Sequence, residues 1–323
     1  MTPECSVIIP NYNGSHLLPH VFECLDAQTI EGCEVILVDN GSADDFEQHV
    51  PKQVRLIRLD QNYGFAYAVN RGIEAAASPF VFLLNNDMSF DEDLLEKLLD
   101  FLKAHAEYDF VQPKVCFETD RTRINSLGDA WNVYGIGVQK GFGEKDDGRF
   151  EETVEIFSPT GGAALFRKSV FDKIGLFDER FFAYLEDVDL GFRMRLAGLR
   201  GVLYPQAVVY HGFGQTSKKM GDFSRHLIHR NAGFVLIKDM PGVLLLKYAI
   251  HFSIGQLRTL VVFVKDGKIS LLFKINREFW KALPWLLSER KRILRGRKIS
   301  IRALDKWLEK SWPFGKKPHP QST

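Results

Sequence analysis

The first hundred residues alternate between short apolar runs and longer amphipathic segments. The apolar runs are CSVIIP (5–10), EVILVD (34–39), VRLIRL (54–59) and FVFLLN (80–85). Runs of this length that are rich in Val, Ile, Leu and Phe predict strands, and three of the four are typical of strands buried on both faces. VRLIRL alternates apolar and basic positions, which predicts a strand nearer the edge of a sheet.

Helical patterns fill the intervals between these predicted strands. The segments lie at about 15–28, 64–77 and 91–104. Strand–helix–strand repetition at this spacing predicts βαβ units and a doubly wound α/β sheet. Sheets of this kind bind ligands at the carboxyl ends of their strands, so we expect a functional site there.

The pattern is less regular between residues 105 and 160, and further short elements follow it up to residue 212. FVQPKV (110–115) predicts another strand, and GFGEKDDGRFEE (141–152) predicts a solvated loop. The pair Gly161-Gly162 precedes what we interpret as a short apolar helix. GVLYPQAVVYHG (201–212) is interpreted as strand ends around a turn.

The last third of the chain has a different pattern. Residues 222–310 are predicted to be helical and amphipathic. We therefore expect two regions, an α/β domain over residues 1–220 and a basic helical region over residues 221–323. The composition, with 45% hydrophobic and 26% charged residues, is ordinary for a globular protein.

Charge is distributed unevenly along the chain. The net charge is +1, but residues 265–323 hold 16 Lys/Arg and 5 Asp/Glu, so they carry +11 and the first 264 residues carry −10. A basic segment favours nucleic acid or an anionic membrane surface as a partner. Basic amphipathic helices with Trp280 and Trp285 favour the membrane, and no nucleic-acid reading motif is present, so no nucleic-acid partner is expected. A helical subdomain with a solvated basic face fits the same pattern.

The N-terminus and the cysteines bear on location. MTPECSVIIPNYN lacks the basic and apolar regions of a signal peptide. No apolar run reaches the about 18 residues of a spanning helix without charge, and the nearest, 242–264, is interrupted by Lys247 and Arg258. The four cysteines have no C-x-x-C spacing, which predicts free thiols. We expect a cytoplasmic protein that lies peripherally at the inner face of the plasma membrane.

Polar residues follow three of the predicted strands where each strand ends. They occupy positions 11–13, 39–42 and 85–87. Because carboxyl ends of parallel strands meet at one edge of a sheet, these residues predict a polar rim that could hold a ligand. Asn, Asp, Gly and Ser also dominate ordinary turns, so each segment alone has a structural explanation as well.

A helix start rich in acids follows an aromatic cluster in FFAYLEDVDLGFRMRLAG (181–198). If a helix starts near Glu186, acids in its first turn are favoured by the helix dipole. Asp189 and Arg193 stand at i and i+4 and could pair. Asp187 does not share that face, so this structural explanation does not extend to it.

Seven motifs follow one another between about residues 5 and 215. They are PNYN (10–13), VDNGSAD (38–44), QNYGFAYAVNRG (61–72), LLNNDM (83–88), TGGAALFRKSVF (160–171), FDERFFAYLEDVDLGFRMRLAG (177–198) and VVYHG (208–212). In this order and spacing they resemble the family 2 glycosyltransferases of the GT-A fold, and are most similar to the bacterial rhamnosyltransferase-like branch. The resemblance implies a Rossmann-like, mostly parallel central sheet flanked by helices, with a C-terminal helical extension.

The resemblance also implies an activity. Such an enzyme moves a sugar, such as rhamnose or another hexose, with inversion from a nucleoside-diphosphate sugar to a saccharide acceptor. A polyprenyl-diphosphate-linked acceptor in cell-surface polysaccharide synthesis is expected. The Q-x-x-R-W motif of processive synthases is absent, so we expect one sugar per event. The alternative is a non-catalytic nucleotide-sugar-binding or assembly subunit.

The nucleotide-binding residues follow from the same resemblance. Asp39 would accept a hydrogen bond from the base, and Pro10 and Asn11 would frame the nucleotide. The other residues implied are Asn13, Ser42, Asn62, Gly64, Asn70 and Asn86. Asn62, Gly64 and Asn70 fall in a Gly-containing loop that opens a helix, and backbone N–H groups there suit an anionic or ribose ligand. The loop lacks G-x-G-x-x-G, which disfavours a nicotinamide dinucleotide.

A metal site is implied at the end of the fourth strand. Many GT-A enzymes hold a divalent cation with Asp-x-Asp, and here the matching residues are Asn85-Asn86-Asp87. Asp87 and His211 would then hold Mg²⁺ or Mn²⁺ against the diphosphate. Asn85 in place of the first acid weakens the charge of this site.

The resemblance assigns proton abstraction to Asp187, the second acid of Glu186-Asp187. Phe181, Phe182 and Tyr184 would exclude water from the reaction. The residues expected around the sugars are Glu186, Gly161, Gly162 and Tyr184.

Overall fold

A computed structural model of the protein describes residues 2–212 and 221–313. Its strands are β1 (Ser6–Asn11), β2 (Glu34–Asp39), β3 (Arg55–Arg58), β4 (Phe80–Leu84), β5 (Met88–Phe90), β6 (Phe110–Phe117), β7 (Ile124–Ser126), β8 (Asp129–Asn132), β9 (Ile136–Gln139), β10 (Val154–Glu155), β11 (Ala163–Arg167) and β12 (Gly201–His211). Its α-helices are α1 (Leu18–Asp26), α2 (Phe65–Ala75), α3 (Leu94–Ala104), α4 (Ser169–Ile174), α5 (Glu186–Leu196), α6 (Gly221–Lys238), α7 (Gly242–Lys247), α8 (Ala249–Lys265), α9 (Ile269–Arg295) and α10 (Ile301–Trp307). The predicted boundary at residue 220 and the end of the basic region after residue 313 lie outside the described residues.

The four strands predicted in the first hundred residues form one parallel half-sheet. Their order is β3-β2-β1-β4, and all three pairings are parallel. β3 lies at the edge, as the alternation of VRLIRL predicts. In β1, Ile8 faces one apolar cluster, while Val7 and Ile9 face the cluster on the other side. Burial on both faces explains why these strands are apolar throughout.

The second half of the sheet is mixed. β11 runs antiparallel between β4 and β6, and β12 pairs parallel with β6. Of the nine strand pairings in the ten-stranded sheet, four are parallel. The α/β class, with a central sheet flanked by helices, is confirmed, and its parallel character is concentrated in the N-terminal half.

Two local predictions in this half are wrong. Gly161-Gly162 precede strand β11 rather than a short helix, and α4 begins only at Ser169. The run Ala163–Arg167 has five residues, which is the length of a buried strand, and periodicity cannot separate so short a run from a helix. The second is the turn expected within residues 201–212. These residues contain one long strand, β12, whose register against β6 shifts between Tyr204 and Val208.

The C-terminal helices pack on the α/β part of the chain. A third apolar cluster joins Phe234 of α6 and Leu286 of α9 to Phe192 of α5 and Trp131 of β8. The subdomain interpretation of the C-terminal pattern therefore has direct support in the packing. Within residues 2–212 and 221–313, no helix is both long and apolar enough to cross a bilayer.

Candidate functional site

A cleft of about 510 Å³ lies at the carboxyl ends of β1 and β4, on the edge of the sheet where the polar rim was predicted. The predicted site residues that line it are Pro10, Asn11, Asn62, Gly64, Asn86, Asp87, Gly161, Gly162, Tyr184, Glu186, Asp187 and His211. One wall comes from loops that follow parallel strands. The other comes from the segments around residues 160 and 185.

Asn11 connects the ends of three strands in the first wall. Its side-chain N–H donates to Asp39 Oδ1 and to Ser42 Oγ, both at 3.3 Å. Asn86 Nδ2 donates to Asn11 Oδ1 at 2.7 Å, and the Asn13 N–H donates to Ser42 Oγ at 2.9 Å. Asp39 and Ser42 thus lie directly behind the lining, where they hold Asn11 in place, whereas Asn13 is exposed and contacts Ser42. Parallel pairing explains this, because Asn11 lies opposite Asp39 in the register of β1 and β2.

A second hydrogen-bonded loop completes this wall. Asn40, which belongs to the predicted polar rim but was given no individual role, donates to Asn62 Oδ1 at 3.0 Å and to the Gly64 carbonyl at 3.1 Å. Gly64 has φ +93° and begins α2 as its N-cap. A Cβ atom at Gly64 would lie 2.4 Å from the carbonyl oxygen of Phe182, so only glycine allows the two walls to meet there.

Asn70 is not in the cleft. It is buried in α2, where its Nδ2 donates to the Phe177 carbonyl at 2.9 Å and its Oδ1 accepts from the Phe177 N–H at 3.0 Å. It lies on the sixth residue of the helix, about 9 Å along the axis from the N-terminus that faces the cleft. The expectation of a nucleotide contact from Asn70 is therefore wrong, and the side chain instead fixes the segment before Asp178.

Asp87 and His211 come together because β5 pairs with the end of β12. His211 lies opposite Met88, and its Nε2 is 3.3 Å from Asp87 Oδ2. Its Nδ1 is 3.1 Å from Oδ1 of Asn125, a buried residue on β7. A carboxylate and an imidazole at this separation fit a cation whose other ligands come from a diphosphate and water. In the described ranges, no group of three or more His, Cys, Asp or Glu residues could hold a metal.

Asp187 lies in the first turn of α5, and its carboxylate is held from two sides. The Val188 N–H donates to Oδ1 at 2.7 Å, and the Gly161 N–H donates to Oδ2 at 3.2 Å. Burial raises the pKa of Asp187 above its ordinary value, while these hydrogen bonds oppose the rise. The helix starts at Glu186 as predicted, and Asp189 and Arg193 pair at 2.8 Å on another face.

Two further carboxyl groups surround Asp187. Asp129 of β8, which the sequence reasoning missed, lines the cleft, and burial together with the Asp187 charge raises its pKa well above the ordinary value. Burial and the same charge also raise the pKa of Glu186. The Asp129 side chain hydrogen-bonds to that of Asp187, so the two carboxyl groups form one interacting pair. Asp129 reaches this position because its main chain pairs with Ser158, a partner that the sequence pattern does not indicate.

The loop 181–185 has an unusual backbone. Phe182, Tyr184 and Leu185 have φ values of 67°, 69° and 65°, and each such non-glycine residue costs about 1–3 kcal/mol. The Ala183 N–H donates to the Phe181 carbonyl at 2.8 Å, closing a three-residue γ-turn of the strained type. Phe182 and Tyr184 line the cleft, but Phe181 is fully buried against Phe234, so the expectation that Phe181 excludes water from the cleft is wrong.

Comparison with known proteins agrees with this geometry. The model of glycosyl transferase family 2 matches residues 6–175, slightly more than half of the chain. An N-acetylglucosaminyl-diphospho-decaprenol L-rhamnosyltransferase of Mycobacterium tuberculosis is 26% identical over 265 residues, which are 74% of this chain and 85% of that protein. The O-antigen biosynthesis protein RfbC of Myxococcus xanthus is 30% identical over 65% of this chain and 17% of its own length.

Two solved structures share the fold. TarS of S. aureus superposes with a TM-score of 0.53 and 18% identity, over 73% of this chain and 40% of TarS. GalNAc-T7, crystallised with UDP, GalNAc and Mn²⁺, superposes with a TM-score of 0.61 and 15% identity, over 88% of this chain and 56% of its own. At these identities the likeness concerns the GT-A fold alone. Family match, fold and cleft agree, and the chain belongs to glycosyltransferase family 2.

Proposed function

We propose that the protein is an inverting glycosyltransferase that moves one sugar, rhamnose or another hexose, from a nucleoside-diphosphate sugar to a saccharide acceptor. The observation that carries the proposal is that Asp187 faces the same cleft as the Asp87–His211 pair. In this proposal a base for the acceptor hydroxyl and a site for the diphosphate would open onto the same cleft. In this proposal residues 1–220 form the catalytic domain.

The acceptor is a saccharide on a polyprenyl-diphosphate carrier in cell-surface polysaccharide synthesis. The relatives from M. tuberculosis and M. xanthus support this assignment, since the former is an N-acetylglucosaminyl-diphospho-decaprenol L-rhamnosyltransferase and the latter an O-antigen biosynthesis protein. The alignment with the former spans most of both chains.

The nucleotide would bind against the first wall. In this proposal Asp39, which lies behind Asn11 at the ends of β2 and β1, would accept a hydrogen bond from the base. The remaining nucleotide contacts come from the loop of Asn62 and Gly64 and from Asn86. Backbone N–H groups at the start of α2 suit the ribose and the phosphates.

A divalent cation fits the diphosphate position. Among the described residues that line the cleft there is no Lys or Arg, whereas four are Asp or Glu. A diphosphate placed there needs positive charge, and Asp87 and His211 would hold Mg²⁺ or Mn²⁺. Such an ion, when bound, offsets the charge that develops on the leaving nucleotide. The Mn²⁺ in the GalNAc-T7 structure supports a cation in this fold.

Asp187 would take the proton from the acceptor hydroxyl as its oxygen attacks the anomeric carbon. The N–H groups of Gly161 and Val188 fix both carboxylate oxygens, so the base is oriented before the substrate binds. Glu186 Oε2 is buried in the cleft wall and, within the part of the chain that the structure describes, has no hydrogen-bond partner, so a sugar hydroxyl could donate to it. Phe182 and Tyr184 would limit access of water.

The second candidate is a non-catalytic nucleotide-sugar-binding or assembly subunit. The observation that favours it is Asn85, which stands where an Asp-x-Asp motif has its first acid. The metal site is left with one carboxylate, Asp87, and such a site holds a cation less strongly than one with two.

Residues 221–323 would attach the enzyme peripherally to the inner face of the plasma membrane, where a lipid-linked acceptor is found. The support is an exposed apolar stripe on α7 and α8, which consists of Val243, Leu246, Ile250, Ile254, Leu257, Val261 and Val264. Within each of the two helices these residues recur every three or four positions, so they share one face of that helix. A continuous exposed apolar surface marks an interaction site.

An anionic bilayer fits this stripe by charge. Lys247, Arg258 and Lys265 lie among its apolar residues, and residues 265–323 carry a net charge of +11. Each basic side chain near an anionic membrane contributes about 1 kcal/mol. Flotation with anionic vesicles and with nucleic acid as separate arms tests the assignment. Recovery with nucleic acid alone would contradict it.

The function is tested by a thermal-shift screen of nucleoside diphosphates and their sugars, with and without Mn²⁺. We expect one donor to stabilise the protein, by about 2.7 kcal/mol at a concentration 100 times its Kd. That donor is then incubated with a polyprenyl-diphosphate-linked saccharide, and NMR of the product reports the anomeric configuration. Binding without transfer favours the non-catalytic subunit, and binding of no nucleotide sugar contradicts both candidates.

A further inference from the structure

We propose that Asn231 of α6, assisted by Arg230, is a positioning residue that holds the loop 181–185 in the conformation that presents Asp187 to the cleft. The inference deepens the function proposed above and concerns the same site. It gives the C-terminal helical region a part in catalysis that is separate from any contact with a membrane.

The first observation is the hydrogen bonding of one fully buried amide. Asn231 is 0% exposed, and its Nδ2 lies 3.0, 2.9 and 2.7 Å from the carbonyl oxygens of Phe181, Ala183 and Tyr184. An amide has two N–H bonds, so one hydrogen is shared between two of these acceptors. One side chain from α6 therefore satisfies three carbonyl groups of a five-residue loop.

Arg230 adds to this attachment from the neighbouring position. Its guanidinium group donates to the carbonyl of Arg180 at 3.1 Å and to that of Phe181 at 2.9 Å. The carbonyl of Phe182 accepts from the Ala66 N–H at 3.2 Å. Every carbonyl from residue 180 to residue 184 thus has a donor from outside the loop, and most of these donors belong to α6.

The second observation is the strain of the same segment. Phe182, Tyr184 and Leu185 have positive φ values, which side chains with a Cβ atom rarely adopt. Such a conformation persists only where the surrounding structure fixes it. Packing alone supplies walls on two sides, since a Cβ atom at Gly64 or Gly137 would collide with Phe182 or Leu185. Most of the directional contacts that select these backbone angles come from Asn231, and Arg230 and the Ala66 N–H supply the others.

The third observation links the loop to Asp187. Leu185, in left-handed conformation, is the N-cap of α5, and its carbonyl accepts the Asp189 N–H at 3.0 Å. Asp187 is the second residue of that helix, so the loop conformation sets where the first turn lies. If the loop relaxes, the turn moves, and the Asp187 carboxylate leaves its contact with the Gly161 N–H. A displacement of about 1 Å can reduce turnover by about 100-fold.

The test compares full-length Asn231→Ala with the wild type by hydrogen–deuterium exchange and by steady-state kinetics. We expect amides in 181–187 to exchange about 10-fold faster or more, because their opening becomes a local event. Turnover should fall about 100-fold. The KM for the donor sugar should change by less than about 3-fold, because the first wall of the cleft is untouched.

The matched control is Asn276→Ala. This exposed asparagine of α9 also donates from Nδ2 to a main-chain carbonyl, that of Leu272, at 2.9 Å, but it touches no part of the cleft wall. Exchange in 181–187 and turnover should both stay at wild-type values in this variant. If Asn231→Ala does not fold, as judged by circular dichroism, Arg230→Gln takes its place, with a smaller effect expected at the same amides.

The outcomes separate this inference from the proposed function. Unchanged exchange in 181–187 in the folded variant overturns the inference, and so does faster exchange with unchanged turnover. If the wild type transfers no sugar from any donor, the proposed function fails. Faster exchange of the loop in Asn231→Ala would in that case still support the attachment of this loop by α6.

Discussion

The two walls of the cleft are built in different ways. The wall at the ends of β1, β2 and β4 consists of short loops whose amide side chains bond to one another, as Asn11 does to Asp39. The wall formed by loop 181–185 and the start of α5 consists of strained backbone and buried carboxyl groups. Its conformation depends on donors from α6, a helix some fifty positions further along the chain. The first wall is a local consequence of the sheet, whereas the second depends on tertiary contacts.

The largest effect should come from the base on the second wall. We expect Asp187→Asn to lower turnover by about 10²- to 10⁴-fold, because the amide cannot accept the proton. Affinity for the donor, measured by thermal shift, should be retained, since the first wall is unchanged. Asp172→Asn, an exposed acid on α4, is the control and should be neutral. Normal turnover of Asp187→Asn would show that Asp187 is not the base.

The ion pairs behind the second wall should dominate its stability. Asp189 is fully buried between Arg193 and Lys238, so Asp189→Asn should lower the free energy of unfolding by about 3–5 kcal/mol. Asp222→Asn, which removes an exposed pair with Lys268, should cost at most about 1 kcal/mol. Urea unfolding of both variants measures the difference. Equal losses would mean that burial does not distinguish these pairs.

The stabilisation that Asp189 provides has a defined pH dependence. Burial by itself would raise the pKa of Asp189, but the charges of Arg193 and Lys238 lower it below its ordinary value. The stabilisation is therefore present above the unfolded-state pKa and is lost as the pH falls through the lower, folded-state pKa. The difference between wild type and Asp189→Asn should shrink correspondingly in acid.

Substitutions in the exposed apolar stripe of α7 and α8 should change membrane binding without any effect on the cleft. Leu246 and Ile250 are 81% and 73% exposed, and each should contribute about 1.5–3 kcal/mol when buried in lipid. Replacing both by Glu should lower partition into anionic vesicles by about 100-fold or more. Val154→Glu, on the exposed strand β10, is the control. Unchanged flotation of the double variant would exclude this stripe as the lipid contact.

The smallest effect should be a shift of the pH profile. Burial raises the pKa of Asp187 and the hydrogen bond with Asp129 partly offsets that rise, so Asp129→Ala should raise the pKa of Asp187 further. Because the base acts only when ionised, the acidic limb of kcat/KM should move to higher pH. Asp129→Asn keeps a donor and should move the limb less. A shift of the limb to lower pH would show that repulsion from the Asp129 carboxylate, rather than its hydrogen bond, governs the pKa of Asp187.

Much of the first wall could be predicted from the sequence. The apolar runs fixed four strands, and parallel order then required that their polar ends meet at one edge. Behind the second wall, the pairing of Asp189 with Arg193 also followed from helical spacing. These features depend on contacts between near neighbours or on strict periodicity, which a sequence displays directly.

The second wall could be predicted only in part. Asp187 was proposed as the base through the resemblance to family 2 glycosyltransferases, which implies that role for the second acid of Glu186-Asp187. Asp129 and Asn231 were missed, since nothing in their local sequence distinguishes them from ordinary turn or helix residues. Asn70 was assigned to the cleft because it follows a Gly-containing loop, but the pitch of α2 carries it away from the site.

The sequence by itself determined the α/β architecture, the polar edge of the sheet and the start of the acidic helix α5. The tertiary structure decided which polar groups meet: Asp129 with Asp187, and Asn231 with the carbonyls of loop 181–185. The physical reason is the range of the interactions. Hydrophobic period and helical spacing act over a few residues, whereas a buried amide selects its acceptors only after distant elements have packed.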